Sequence, residues 1–458
     1  MTGVVDSTKG LETRILSTVF DVLNKAGVDY CVVNNYENLP DSISTDVDMA
    51  IDSRTLERLD ALMGEAARES GAEIIQKIWH GYQKCAYILS PLVIGARFRV
   101  QLDFFTDFSA KGYPILMKND VLLRGRRPFR IFSIPAPEAE AMFLLMRRIV
   151  KNDMSISHIE KLRSLVASEP KKIEKMMTEV FGSELWSRTV GLIESGKLEP
   201  FNDNLMTYRR VLRAWSRRGL SMRPRLKYSV SQLVRVFHRL RYPVGLSVVF
   251  LGPDGSGKST IANLVLERVS GSFHGGRVQY WRPYLLPAMG RLKFWNPGEE
   301  PSVNPRPHDH VPQNPVKSLI RFLFYFVDYL AGYPIKVYLR KVKKQIIVFD
   351  RYYYDYLVDL QRYQFNIPAW LPRLLLFFVP APDMTIYLDG DPSELMQRKQ
   401  ELSFAELSRQ VAEFRNILPC LPQSIRIGTG RPIEEIVGEI SQLILEKKAR
   451  QTARLLSP

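Results

Sequence analysis

The 458-residue chain is poor in cysteine. Cys31, Cys85 and Cys420 lie far apart and show no CxxC spacing, which excludes a zinc finger and suggests a reducing compartment. The opening MTGVVDSTKG has no apolar core, so no secretion signal is expected. A long hydrophobic run is also missing. Leu319–Tyr338 is interrupted by Arg321, Asp328 and Lys336, and Leu371–Pro380 is too short to span a bilayer. Acidic residues vanish altogether between Asn204 and Pro253. No internal repeat is evident. These absences lead us to expect a cytoplasmic protein, with a peripheral place at the inner face of a membrane left open.

What is present is globular. Hydrophobic residues make up 45%, charged residues 24% and aromatics 11%, which rules out a disordered or fibrous chain. The length suggests about two to four domains, each able to build a core without disulfides. A net charge of +16 favours a polyanionic partner, whether phosphates, nucleic acid or an anionic membrane surface.

The first 110 residues alternate helical and extended patterns. Leu11–Lys25 has helical spacing and Val28–Val33 reads as a short strand. Asp46–Asp52 and Phe98–Phe105 alternate as strands that carry Asp46, Asp48 and Asp103. After Pro135-Ala136-Pro137 a helix starts with Glu138 and Glu140 and ends in Arg147, Arg148 and Lys151, matching the helix dipole. Helical patterns continue to about residue 195. The acid-free stretch holds eleven Arg and Lys residues. Two apolar stripes run through it, Tyr208/Val211/Leu212/Trp215 and Val230/Leu233/Val234/Phe237/Leu240. They fit either packing helices between domains or a helix on an anionic membrane.

A new unit begins at Gly245. Leu246–Leu251, Gln345–Phe349 and Met384–Leu388 are continuous apolar runs, as buried parallel strands require. Helical patterns separate them, which predicts a doubly wound α/β domain. Asn296–Pro315 reads as a loop or lid.

The strongest motif is Gly252-Pro253-Asp254-Gly255-Ser256-Gly257-Lys258-Ser259-Thr260, which satisfies G-x-x-x-x-G-K-[ST] between a strand and a helix. Glycines let successive N–H groups face one anion, and the helix N-terminus adds positive potential. Lys258 would reach the outer phosphates of ATP, and the Ser259 hydroxyl would ligate Mg²⁺. A second motif, Asp350-Arg351-Tyr352, follows the strand Gln345–Phe349. A carboxylate there can hold the Mg²⁺ shell, and an arginine beside it can clamp a phosphoryl group.

With these residues, 245–450 resembles the thymidylate kinase-like family of nucleoside monophosphate kinases. The resemblance rests on GPDGSGKST, on Asp350-Arg351-Tyr352, and on Tyr387-Leu388-Asp389 leading to Arg398. It implies that Asp350 and Arg351 touch magnesium and the acceptor phosphate. It also implies that Arg282, in Trp281-Arg282-Pro283, stands where the family's Arg-Glu-Pro motif holds that phosphate. Arg398, Lys399 and Arg409 fall in Ser393–Phe414, the family's mobile lid. Dimers are common in this family. Asp355 and Asp359, i and i+4 after the motif, could bind a polyhydroxy acceptor or serve as a base. They could equally solvate a helix. The crowding of Tyr352 and its neighbours around the motif resembles the divergent members tied to bacterial surface polysaccharide loci. Residues 10–135 resemble the nucleotidyltransferase fold through Asp46-Val47-Asp48 and Asp103, which in that fold hold two metal ions. The place of its Gly-Ser turn reads Val32-Val33-Asn34-Asn35-Tyr36.

The expected architecture is therefore α/β. Residues 1–135 form an α+β nucleotidyltransferase-like domain, 136–203 a helical extension, 204–244 a basic amphipathic connector, and 245–450 the P-loop kinase-like domain. The expected activity is ATP-dependent phosphoryl transfer, with Lys258, Asp350, Arg351 and Arg398 as catalytic residues. Arg282, Tyr352 and Asp355 would bind a small phosphorylated or polyhydroxy acceptor. Nucleotidyl transfer at the N-terminal aspartates, and an ATP-gated regulator that binds membrane or nucleic acid, remain as alternatives. No recognised nucleic-acid module accompanies the aromatic–basic pairs.

Overall fold

In this computed structural model the described residues are 2–81, 83–92, 100–110, 112–218, 222–287, 289, 314–399 and 402–456. Most of the expected lid, 296–313, lies outside them. The chain divides into two units. One is Met1–Pro91, Phe98–Phe237 and Ala449–Pro458; the other holds His238–Lys448.

The first unit is built on a mixed sheet. Its strands are β1 (Tyr30–Val32), β2 (Val47–Ile51), β3 (Glu73–Gly81), β4 (Lys84–Ser90) and β5 (Val100–Phe105), in the order β1-β2-β5-β4-β3. Only β2 and β5 pair in parallel; the others run antiparallel. Side chains alternate across the sheet. Tyr30, Val32, Met49 and Ile51 share a core with α1 (Thr2–Lys25) and α2 (Thr55–Ser70). Cys31, Ala50 and Phe105 belong to a second core with the helices that follow. Two hairpins, β6 (Asp107–Ala110) with β7 (Tyr113–Lys118) and β8 (Arg127–Phe129) with β9 (Phe132–Ile134), flank the short α3 (Asn119–Leu123). The helical part comprises α4 (Pro137–Lys151), α5 (Ile156–Ser168), α6 (Pro170–Phe181), α7 (Ser183–Ser195), α8 (Glu199–Asp203), α9 (Leu205–Trp215) and α10 (Met222–Arg241). Pro137 starts α4 at its first turn, where a missing N–H costs nothing.

The second unit has a five-stranded sheet that is parallel throughout. Its strands are β10 (Ser247–Leu251), β11 (Gly276–Tyr280), β12 (Ile346–Asp350), β13 (Met384–Asp389) and β14 (Ser424–Gly428), ordered β11-β12-β10-β13-β14. Strands β10, β12 and β13 are buried at every residue, as their unbroken apolar sequence requires. On one face Val248, Phe250, Val348 and Ile386 pack with α11 (Lys258–Val269) and α17 (Ile433–Leu456). On the other, Val249, Leu251, Ile347 and Phe349 meet α12 (Pro315–Gly332) and a group of tyrosines. The remaining helices are α13 (Leu339–Val342), α14 (Trp370–Leu375), α15 (Pro392–Arg398) and α16 (Phe404–Ile417). Strand order reverses beside β10, the place where open parallel sheets form a crevice at their carboxyl ends.

Candidate active site

The loop Gly252–Gly257 leaves the end of β10 at that crevice. Gly255 has φ +83, and a Cβ there would stand 2.8 Å from the Leu395 carbonyl on α15. Gly257 takes φ +82 as it opens α11. Only glycine meets both demands without strain. Lys258 turns back over the loop, and its Nζ donates to the Pro253 carbonyl at 2.7 Å. Its ammonium is enclosed, and burial, reinforced by nearby Arg351, pushes its pKa down to about 7.

Strand β12 delivers Asp350 next door. Ser259 Oγ donates to Asp350 Oδ2 at 2.5 Å, while the buried Oδ1 has no hydrogen-bond partner. A hydroxyl beside a carboxylate with a spare buried oxygen fits the donor set of a Mg²⁺ ion. Arg351 follows with φ +75, a left-handed value uncommon outside glycine. Its buried guanidinium bridges Asp254 of the loop and Asp355 Oδ2, the latter at 2.7 Å. Arg362 Nη1 reaches Asp254 Oδ2 at 2.5 Å. Burial alone would raise the Asp254 carboxyl, but Arg351, Lys258 and Arg362 hold it well below the usual carboxylate range. Three cations and three carboxylates thus meet beside the loop. Asp355 Oδ1 is buried and unpartnered as well.

Other expected residues stand elsewhere. Arg282 is wholly enclosed. It pairs with Asp328 of α12 at 2.8 Å and donates to the Leu286 carbonyl. The rings of Trp281, Tyr284 and Tyr325 surround its guanidinium at 5.5, 4.3 and 4.8 Å. The structure thus gives Arg282 an ion-pair partner inside the core, while its Nε and Nη2 are buried without a hydrogen-bond partner. Tyr352 is likewise buried, with its hydroxyl donating to the Pro380 carbonyl, so it offers no donor to an acceptor. Arg398 is half-exposed, paired with Glu394 at 3.6 Å and bonded to the Thr429 carbonyl. Thr260 is exposed at the helix start and Ser256 is buried in the loop. The expected helix carrying Asp355 and Asp359 is a short 3₁₀ turn, Tyr353–Leu357. Asp359 is bonded by Gln410 Nε2 and the Arg362 amide. Arg362 was not foreseen; it lies 108 positions from Asp254, with no motif around it.

In the first unit, Asp48 and Asp103 are register partners on β2 and β5, and Gln101 bridges Asp46 and Asp103 at 2.8 and 3.0 Å. The carboxylates are gathered on neighbouring strands. Arg147 holds Asp48 at 2.7 Å. Half-buried Lys84 also lies near Asp48 and Asp103, with a pKa that desolvation pushes down to about 8. Among the described residues no group of three His, Cys, Asp or Glu side chains is placed to hold a metal ion.

No protein-family model matches this chain, and no curated protein matches it. Among solved structures it is similar to thymidylate kinase from Ehrlichia chaffeensis, at 20% identity and a TM-score of 0.30, covering 43% of this chain and 98% of that one. It is also similar to thymidylate kinase from Candida albicans, at 17% identity and a TM-score of 0.33, covering 45% of this chain and 93% of that one.

The Lys258 environment makes a testable linkage. Above pH 7 the free ammonium has largely lost its proton, and a polyphosphate beside it restores the charge. Between about pH 8 and 9, ATP binding should therefore take up close to one proton, and affinity should fall as pH rises through 7. Calorimetry at pH 8.5 in two buffers of different ionisation enthalpy reads this directly. Binding heats that do not depend on the buffer would contradict it.

Proposed function

We propose that the second unit is an ATP-dependent phosphotransferase of nucleoside monophosphate kinase type. The observation that carries the reading is the junction of the two strand ends. Ser259 and Asp350 meet beside the loop at 2.5 Å, and Arg351 is buried one residue further on. A nucleotide switch has no need of a second set of guanidinium groups, whereas a kinase needs them to hold the acceptor. In this reading the loop amides and Lys258 bind the β- and γ-phosphates of ATP. Ser259 and Asp350 would hold Mg²⁺, which neutralises charge on the phosphates. Arg351 and Arg362 exchange Asp254 for the acceptor's anionic group. The acceptor oxygen bonds to the γ-phosphorus as the bond to the β-phosphate oxygen breaks, and ADP leaves. Positioning and charge stabilisation do the catalysis, with no covalent intermediate.

The acceptor class is a nucleoside monophosphate such as thymidylate, or a sugar or phosphorylated sugar of the kind used in surface polysaccharides. The buried, unpartnered Asp355 Oδ1 supports this reading, since it would accept from an acceptor hydroxyl that reached it. The test is acceptor-dependent ADP formation from Mg²⁺-ATP against thymidylate, other nucleoside monophosphates, sugars and sugar phosphates, with product masses recorded. A single acceptor raising ADP release at least about a hundredfold over water would support transfer. ADP release that no acceptor alters would reject it.

A further inference from the structure

Helix α10 is docked with its faces exchanged. Tyr228, Gln232 and Arg235, at i, i+4 and i+7, line one side. The Tyr228 hydroxyl donates to the Ala110 carbonyl at 2.9 Å, and Arg235 Nη1 donates to the His80 carbonyl at 3.1 Å. Gln232 lies against Gly81. These polar groups hold the helix to the first unit. The opposite side carries Leu226, Val230, Leu233, Phe237 and Leu240, spaced 4-3-4-3 along one stripe, and all five are exposed. Leu233 and Phe237 each keep 71% of their surface in solvent. Val234 widens the stripe. A contiguous apolar face turned outward marks an interaction surface.

Charge decides what covers it. From Asn204 to Pro253 the sequence has eleven Arg and Lys residues and no carboxylate. The 4-3 spacing would suit a coiled coil, but such pairing relies on opposite charges beside the seam. A second copy would bring cations against cations. An anionic lipid surface answers both features, since it takes up the apolar stripe and attracts the flanking cations. We propose that α10 lies flat in the interface of an anionic bilayer, with the Leu226–Leu240 stripe buried among the acyl chains. Among the described residues no helix is long and apolar enough to cross a membrane, so the contact is with one leaflet.

The test is sedimentation of the full chain with sucrose-loaded vesicles of phosphatidylcholine, with or without phosphatidylserine, at low and high salt. Binding should require phosphatidylserine and weaken with salt. The double variant Leu233→Ser/Phe237→Ser should lower the partition coefficient at least about tenfold, with thermal unfolding unchanged because both side chains are exposed. No binding, equal binding to neutral vesicles, or an unaffected double variant would overturn the proposal. A dimer in sedimentation equilibrium that the same variant dissociates would overturn it in favour of self-association. A drop in unfolding temperature would do so in favour of another part of the chain covering the stripe.

Discussion

Replacing Lys258 by alanine should reduce phosphoryl transfer about a thousandfold while leaving the protein folded. The ammonium is the cation that the loop itself places on the transferred phosphate, and losing one such preorganised group typically costs about a hundred- to a thousandfold. The fold should not suffer, and the sign of the Lys258 shift says why. Its pKa falls from 10.5 in the open chain to about 7 in the folded one. Below pH 10.5 the unfolded state therefore holds this proton more readily, and the buried lysine subtracts from stability. Removing it at pH 7.5 relieves that cost, and Asp254 keeps Arg351 and Arg362 as partners. A coupled assay for ADP, run beside thermal unfolding, checks both halves. Undiminished turnover in the variant would show that chemistry lies elsewhere in the chain.

Arg282→Met should act in the opposite way. Asp328 would keep the amides of Tyr284 and Leu286, at 3.0 and 2.6 Å, but lose its counter-ion in a site with no exposure at either partner. Breaking a buried ion pair on one side costs about 3–5 kcal/mol. For a unit of this size that lowers the unfolding temperature by about 10 °C. The double variant Arg282→Met/Asp328→Leu should recover most of the loss, since an apolar pair of similar volume avoids the uncompensated charge. If instead the single variant keeps its stability and its KM for the acceptor rises, Arg282 touches the acceptor and the buried pair is not what holds it.

Lys258 and Arg282 show what a sequence can and cannot tell. The run Leu246–Leu251 and the loop after it were legible because both obey local rules: an unbroken apolar strand, glycines at fixed offsets, and a lysine opening a helix. Asp350 and Arg351 were legible for the same reason, one strand over. Arg282 was not. Its neighbours Trp281 and Pro283 carry no trace of its ion pair with Asp328, 46 positions away on α12. Tyr352 sits inside the same motif as Arg351 and turns into the core. Arg362 had no motif at all. The aspartates of the first unit repeat the lesson. The sequence pattern brought Asp46, Asp48 and Asp103 together, whereas Arg147 on α4 decides that Asp48 faces a guanidinium. Partners supplied from a distance leave no local trace, and charge compensation is the property most often supplied that way.

The aromatic wall beside the loop has an optical consequence. The Trp281 ring stacks on Tyr363, with centroids 5.0 Å apart and planes 25° from parallel. The Tyr363 hydroxyl donates to Asp355 Oδ2, the oxygen that also receives Arg351. An indole is thus three contacts away from the guanidinium that an incoming anion would recruit. Its emission should register that recruitment without any label, as a change in quenching by the stacked phenol.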